Sequence, residues 1–254
     1  MKYITSAKNN FVKNAKKLHK KKYRSESNLY LIEGEHLVEE AVKHNADIVY
    51  VIVEENMLEK YNYLIQDFDD EKVYLVTDSI IQTLSTLPTP QGIMAIIEKK
   101  AAVDILYQGR ILILDCVQDP GNVGTMIRTA DAAGFTHIIL GEGCADVYQP
   151  KVLRAMQGSQ YHLTLEEGDV SERMSELFKR EYLIYGTELN PEAIDYREIK
   201  KDYQNLAIVM GNEGQGVSAE ILKYTTKNVY IPIIGQAESL NVAVAAGILM
   251  FSLQ

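Results

Sequence analysis

One run of apolar residues, Arg-Ile-Leu-Ile-Leu-Asp-Cys at 110–116, constrains the fold more than any other feature of the sequence. Its apolar side chains follow one another without alternation, so neither face of the segment is marked for solvent. This pattern is typical of a strand in a parallel sheet that is covered on both faces. Parallel neighbours need long crossover connections, which are usually helices. The run therefore predicts a sheet with helices on both sides.

The rest of the chain agrees with this prediction, because short apolar runs alternate with helical patterns. The predicted strands are 29–32, 48–53, 73–76, 92–97, 110–116, 137–140, 160–165, 182–185, 206–210 and 228–231. The predicted helices are 35–44, 55–66, 79–84, 122–133, 150–156, 170–179, 218–223 and 240–251. A polar stretch at 99–108 is the predicted linker between a smaller α/β domain at 1–98 and a larger one at 109–254.

Charge is unevenly distributed along the chain. The formal net charge is −9, yet the first 24 residues hold nine basic side chains and no acidic one. The remainder carries 17 basic and 35 acidic residues. Aromatic rings stand among the N-terminal lysines, which suits contact with unpaired bases and phosphates. A solvated charged helix would have the same composition. The candidate residues are Lys8, Lys13, Lys16, Lys17, Lys20, Lys21, Lys22 and Arg24.

Composition excludes several other classes of protein. The two cysteines, Cys116 and Cys144, cannot form a disulfide framework, and neither has the spacing of a metal ligand. The most apolar stretch, 242–251, is about half as long as a membrane-spanning helix. No apolar run follows the basic N-terminus, so a secretory signal is not expected. We expect a cytoplasmic protein without a bound metal and without a membrane partner.

Three glycine-containing turns follow predicted strands in the second half. They are N-x-G-x-x-x-R-T-A at 122–130, G-N-E-G-x-G at 211–216 and I-P-x-x-G-x-x-x-S-L-N-V at 231–242. Ligands of open α/β sheets bind beyond the carboxyl ends of strands, so the three turns could form one site. Taken singly, each also has a purely structural interpretation: a capped helix with a surface arginine, a tight strand-to-helix turn, and capping by serine and asparagine.

Taken together and in this order, the three segments resemble the motifs of the SpoU/TrmH branch of the SPOUT RNA methyltransferases. The resemblance spans about residues 110–254. The first half resembles the family's substrate-binding domain, which is similar to ribosomal protein L30e, through Leu-Ile-Glu-Gly-Glu-His at 31–36. Within the branch, the chain is most similar to the Bacillus-type enzymes that methylate a guanosine ribose of 23S rRNA.

The resemblance implies an activity, a cofactor and a partner. The activity is 2′-O-ribose methylation of RNA, most similar to that on 23S rRNA, and the methyl donor is S-adenosylmethionine. The catalytic domain would be a trefoil-knotted α/β domain that forms a homodimer. Two alternatives remain open at this point: a transfer-RNA 2′-O-methyltransferase, and a non-catalytic RNA-binding ribosome-assembly factor with the same fold.

The resemblance also assigns roles to residues of this sequence. Arg128 is implied as the catalytic arginine, because it occupies the arginine position of the first motif. The other residues implied in the catalytic site are Asn122, Glu213, Ser239 and Asn241. The residues implied in binding the methyl donor are Thr187, Gly211, Ile231 and Leu240.

Two positions depart from the family pattern. Ala243 stands where many relatives have serine, and Met156 stands where serine is common. The first departure removes a possible hydrogen bond near Asn241. The second puts substrate contacts around 154–158 in question.

Overall fold

The computed structural model describes residues 1–100, 106–199 and 204–253. It divides into two compact units, one made of Met1–Ala101 with Tyr148–Tyr161 and the other of Ala102–Val147 with His162–Gln254. The predicted linker 99–108 includes residues 101–105, which lie outside the described residues. None of the described helices combines the length and apolar composition that a membrane crossing requires.

The first unit contains a five-stranded mixed sheet. Its strands are β1 (Lys2–Ile4), β2 (Leu29–Glu33), β3 (Ile48–Glu54), β4 (Val73–Val76) and β5 (Ile93–Glu98). Their order is β1-β4-β3-β5-β2, in which β4 is parallel to β1 and β3, and β5 is antiparallel to β3 and β2. The helices that precede residue 100 are α1 (Asn10–Lys17), α2 (Lys21–Ser27), α3 (Glu35–Lys43), α4 (Leu58–Ile65) and α5 (Asp78–Leu84).

The basic N-terminal segment is part of this folded unit and not a free arm. Strand β1, which the sequence analysis did not predict, pairs with β4, and α1 buries Val12 and Ala15 in the core. The Phe11 ring stacks on Tyr74 with centroids 3.8 Å apart, so it packs within the protein. The charge count alone suggested an RNA-binding extension. The segment instead contains α1, an amphipathic helix whose apolar side packs in the core.

The segment Tyr148–Tyr161 belongs to the first unit, whereas the prediction gave all of 109–254 to one domain. It contains α7 (Pro150–Met156), whose Val152, Leu153 and Met156 are buried. Helix α7 contacts β2, and the Tyr30 and Tyr148 rings lie 4.8 Å apart. Apolar contacts with β2 thus hold the segment in the first unit.

The second unit is built on a seven-stranded sheet that is parallel throughout its described pairings. The strands are β6 (Arg110–Leu114), β7 (His137–Leu140), β8 (Thr164–Glu167), β9 (Leu183–Thr187), β10 (Ile194–Asp195), β11 (Leu206–Met210) and β12 (Lys227–Tyr230). Their order is β10-β12-β9-β11-β6-β7-β8. The helices are α6 (Pro120–Ala132), α8 (Val170–Lys179), α9 (Ala219–Leu222) and α10 (Val242–Ser252).

Helices cover both faces of the parallel sheet, as the apolar run at 110–116 predicts. Ile111 and Ile113 of β6 pack into one cluster with residues of α8 and α9. Because side chains alternate along a strand, Leu112 and Leu114 face the other way, and both are fully buried. Helices α6 and α10 pack against each other, and α10 also contacts β11. The α/β class predicted from sequence is the architecture observed.

One predicted strand is displaced. The sequence pattern places a strand at 160–165, but the structure has a 3₁₀ turn at Ser159–Tyr161 and starts β8 at Thr164. Of the apolar residues that suggested an earlier start, Tyr161 belongs to the first unit and ends the inserted segment, whereas the buried Leu163 belongs to the second unit. A local pattern could not show that the chain changes unit at this point.

We expect Phe11→Ala to lower the free energy of unfolding by about 2 kcal/mol, less than a fully buried aromatic ring would cost, because Phe11 is half-buried. Urea unfolding followed by circular dichroism measures this change. Lys13→Ala, on the exposed side of the same helix, is the matched control and should leave stability unchanged. Unchanged stability with weaker RNA binding in Phe11→Ala would instead show a ring that stacks on RNA.

Candidate active site at the carboxyl edge of the parallel sheet

Adjacent parallel strands bring the implied donor-binding residues to one edge of the sheet. Strand β9 lies between β12 and β11, and Thr187 at its end is in register with Val229. Gly211 directly follows β11, and Ile231 directly follows β12. Loops that leave the carboxyl ends of neighbouring parallel strands converge, which is where open α/β sheets bind ligands.

The Glu213 carboxylate is the centre of a hydrogen-bond network that joins the first two motifs. It accepts hydrogen bonds from the backbone N–H groups of Gln118 (3.2 Å) and Asp119 (3.0 Å) and from Nδ2 of Asn122 (3.2 Å). Burial alone would raise the pKa of this carboxyl, but the hydrogen bonds that it accepts outweigh burial and lower the pKa. Glu213 is therefore an ionised acceptor at neutral pH and not a proton donor.

Asn122 extends this network to the third motif. Its Oδ1 accepts a hydrogen bond of 3.0 Å from Nδ2 of Asn241. Asn241 is also the N-cap of α10, since its Oδ1 accepts from the backbone N–H groups of Ala243 and Val244. Asp119 caps α6 in the same way by accepting from Asn122 N, and Pro120 starts that helix. Two helix starts are thus linked through one pair of asparagines.

The glycine-rich loop is closed by its own asparagine. Asn212 and Gly216 exchange two backbone hydrogen bonds of 2.9 Å, and Oδ1 of Asn212 accepts from the N–H groups of Gly214 and Gln215. Nδ2 of Asn212 reaches Cys116 O at 2.9 Å. This side chain joins the loop to the end of β6.

Sequence reasoning missed two residues that shape the site, Asn212 and Asp115. The Asp115 carboxylate accepts from Ser218 N at 2.7 Å, which fixes the exit of the glycine-rich loop. An asparagine inside a glycine cluster is itself a turn signal, so Asn212 could have been identified. Asp115 could not, because its partner is 103 residues away in the sequence.

Arg128 is exposed on α6 and makes no hydrogen bond or ion pair with any described residue. It lies on the same helix as Asn122, two helical turns from the capped start. Arginine cannot lose its charge in proteins, so the side chain is an available cation on the helix that starts at the network.

The remaining implied residues lie around this network. Ser239 and Leu240 are exposed in the loop before Asn241, and Ser239 has no hydrogen-bond partner among the described residues. Ile231 is half-buried. The Thr187 hydroxyl donates to Val209 O at 2.9 Å, which ties β9 to β11.

The implied RNA-binding lysines and arginine have different surroundings. The seven lysines from Lys8 to Lys22 are exposed. Arg24 is 2% exposed, and its Nη1 donates to Leu18 O at 2.6 Å. Arg24 therefore stabilises the turn after α1, and its side chain is not placed to contact RNA.

Known protein families match both halves of the chain. The family model described as "SpoU rRNA Methylase family" matches residues 109–251, and that described as "MRM3-like substrate binding domain" matches residues 9–95. These matches define the class, a methylase domain preceded by a substrate-binding domain. The chain belongs to the SpoU rRNA methylase family. The resemblance seen in the sequence motifs is thereby confirmed.

Individual relatives match over nearly the whole chain. The 23S rRNA (guanosine(2553)-2′-O)-methyltransferase RlmP of Bacillus subtilis is 43% identical, with 100% of both chains covered. A putative RNA methyltransferase of the TrmH family from Porphyromonas gingivalis is 31% identical, with a TM-score of 0.86 over 96% of this chain and 97% of that chain. The AdoMet-bound rRNA methyltransferase from Sinorhizobium meliloti is 30% identical, with a TM-score of 0.87 over 99% and 97%.

We expect Gly211→Ala to abolish binding of the methyl donor, because its Cβ would lie 2.1 Å from Gly216 C and 2.2 Å from Val217 N. Backbone atoms cannot move away as a flexible side chain can, so the loop would have to change shape. Isothermal titration calorimetry with S-adenosylmethionine measures the loss. Gly214→Ala is the matched control in the same loop, since the nearest atom to its Cβ is 3.7 Å away. Equal affinity in both variants would contradict the assignment.

Proposed function

We propose that the protein transfers a methyl group from S-adenosylmethionine to a ribose 2′-hydroxyl of RNA, specifically to a guanosine of 23S rRNA. One observation carries the proposal: the Glu213–Asn122–Asn241 network joins three motifs distant in sequence, and Arg128, on the helix that starts at this network, has no partner among the described residues. The choice of a 23S rRNA guanosine rests on the name of the 43% identical relative, RlmP. We place the activity in the cytoplasm, where bacterial ribosomal RNA is found.

The residues at the carboxyl edge fit the proposed methyl donor. Adenine is neutral and flat, and the backbone groups of Gly211 and Ile231 can bind its edge without a charged side chain. Leu240 offers an exposed apolar surface for its face. A crowded glycine at 211 lets the loop approach closely. When bound, S-adenosylmethionine supplies an electrophilic methyl group on its sulfonium.

The chain's own residues would orient the ribose and stabilise charge. Glu213 and Asn241 fix Asn122, so the start of α6 is rigid where the hydroxyl must be positioned for attack. Arg128 would hold the phosphate next to the target ribose and stabilise the negative charge that develops on the 2′-oxygen. Its guanidinium stays protonated, which suits this electrostatic role better than that of a base.

We propose that the exposed lysines of the first unit contact the RNA backbone. Lys8, Lys13, Lys16, Lys20 and Lys21 have no ion-pair partner among the described residues. Lys17 and Lys22 lie 5.6 Å and 6.0 Å from the Tyr23 ring centroid. Unpaired surface cations give RNA binding its affinity and its dependence on salt.

We further propose that the protein is a homodimer through α10. This helix is apolar on every side, yet Val244 and Phe251 are 53% and 47% exposed, and Ile234 in the preceding loop is 99% exposed. Exposed apolar side chains of this kind favour an interface, and a second copy of the chain is the partner that family membership favours. The trefoil knot implied by the resemblance remains a prediction.

Arg128→Ala should reduce methyl transfer at least about 100-fold while leaving the affinity for S-adenosylmethionine unchanged. Mass-spectrometric mapping of 2′-O-methyl groups on unmodified 23S rRNA, incubated with the purified protein, measures the first effect. Arg128→Lys should also be impaired, because an ammonium lacks the planar fork of the guanidinium. The control is Arg180→Ala, which replaces the exposed arginine directly after α8. Methylation of transfer RNA only, or of no RNA, would support one of the two alternative functions instead.

Phe251→Glu should convert the dimer to a monomer, because a carboxylate cannot be buried unpaired in an apolar interface. Sedimentation velocity gives the mass. Phe178→Glu is the matched control, since Phe178 on α8 is also an exposed phenylalanine. A wild-type protein that sediments as a monomer would overturn the dimer proposal and leave the catalytic one standing.

A further inference from the structure

A surface loop of the first unit, residues 85–91 between α5 and β5, is held in place by a buried carboxylate. Glu33, at the end of β2, is 8% exposed. It accepts hydrogen bonds from the Ser85 hydroxyl and from both N–H and Oγ1 of Thr86, the latter two at 3.1 Å. Burying a carboxylate costs free energy unless its oxygens accept hydrogen bonds. All three of these hydrogen bonds come from residues of the loop.

The other end of the loop is fixed as firmly. Oε1 of Gln91 accepts from Glu35 N at 2.8 Å, and the Tyr61 hydroxyl donates to Gln91 O at 2.7 Å. Gly34 has a φ of +103°, and a Cβ there would lie 2.9 Å from Gln91 Oε1. The loop is thus rigid at both ends, while Pro88 and Thr89 at its tip are exposed.

An arginine from a distant part of the chain is attached to this loop. Nη1 of Arg154, on α7, donates to Thr86 Oγ1 at 2.7 Å. Thr86 therefore links the buried Glu33 carboxylate to a half-buried guanidinium. The rest of the Arg154 N–H groups have no partner among the described residues, so they are available to an anion.

The segment after α1 also reaches the start of the loop. The His19 ring, through Nε2, contacts Leu84 O at 2.7 Å, which brings the end of α1 to the base of the loop. His19, Glu33 and Arg154 line one small cleft in the first unit. The exposed Lys20 directly follows His19. Arg154 and the rigid polar loop thus form one surface, which the segment after α1 borders at His19.

We propose that this surface binds the RNA substrate, with Arg154 contacting a phosphate and Glu33 acting as the positioning residue that keeps the loop and Arg154 in place. The inference rests on the proposed function and deepens it. It assigns to substrate recognition a residue that lies inside the methylase-family match at 109–251 but folds with the substrate-binding unit. RNA fits because a guanidinium anchored on one edge leaves a second edge free to bind phosphate.

Removing the charge of Glu33 distinguishes two explanations of its effect on RNA binding. If Glu33 acted on RNA only through its charge, Glu33→Gln would strengthen binding, because it removes a negative charge near a polyanion. If Glu33 positions the loop, the same change weakens binding, because an amide cannot accept on its nitrogen and one set of loop hydrogen bonds is lost. The two explanations predict opposite signs.

The experiment measures binding of the full-length protein to unmodified 23S rRNA transcribed in vitro, at several salt concentrations. Arg154→Gln should raise Kd about 10-fold and reduce the salt slope by about one. Glu33→Gln and Thr86→Val should raise Kd by several-fold, whereas Thr86→Ser, which keeps the hydroxyl, should bind as the wild type does. Affinity for S-adenosylmethionine should be unchanged in all of them. Arg180→Gln, directly after α8 in the second unit, is the control for loss of one arginine.

The outcomes separate the two proposals. A wild-type protein that neither binds nor methylates the transcript would refute the proposed function. A wild type that does both, together with Arg154→Gln or Thr86→Val variants of unchanged affinity, would overturn the present inference alone. Tighter RNA binding by Glu33→Gln would show that Glu33 affects binding only through its charge and does not position the loop. Should Glu33→Gln fail to fold, the comparison of Thr86→Val with Thr86→Ser decides, because Thr86 is exposed and tolerates both changes.

Discussion

The ionised carboxylate of Glu213 is the interaction on which the rest of the site depends. It satisfies two backbone N–H groups just before α6 and the amide of Asn122 within it. Without the Glu213 carboxylate, these donors would have to bond to water instead, and the turn from β6 into α6 would lose its shape. Because Asn122 in turn orients Asn241, the effect extends to the start of α10.

In the proposed function, this arrangement gives rigidity to the residues that would orient the ribose and leaves available the residues that would contact RNA. Each of Glu213, Asn122 and Asn241 is fixed by the next, while Arg128 and Ser239 have no internal partners among the described residues. A hydroxyl nucleophile must be held in line with the methyl group, so fixed geometry contributes much of the rate. A cation that binds phosphate must remain available, so it cannot be consumed by an internal salt bridge.

The sequence allowed the second unit to be predicted well, and the first unit less so, for physical reasons. Strands β7 and β11 and helix α8 have the predicted bounds, because apolar or amphipathic stretches encode them directly. Strand β1 was missed, since three residues among lysines become a strand only by pairing with β4. Arg24 was misjudged because a charge count cannot show that a guanidinium is buried on Leu18 O. The Glu213 contacts join residues more than 90 positions apart, so family resemblance and not periodicity brought them together.

Assigning Tyr148–Tyr161 to the first unit also changes the meaning of the charge distribution. Counted by unit, the first has 16 basic and 15 acidic residues, and the second has 10 and 20. The inserted segment contributes Lys151 and Arg154 and no acid. Acidic residues of the first unit therefore nearly cancel its bases in number, and RNA binding there must depend on where the cations lie. The proposed contacts of exposed α1 lysines and of an arginine anchored on a rigid loop would meet that requirement, because phosphate recognition needs local positive potential and fixed donors, not an excess of charge over the whole surface.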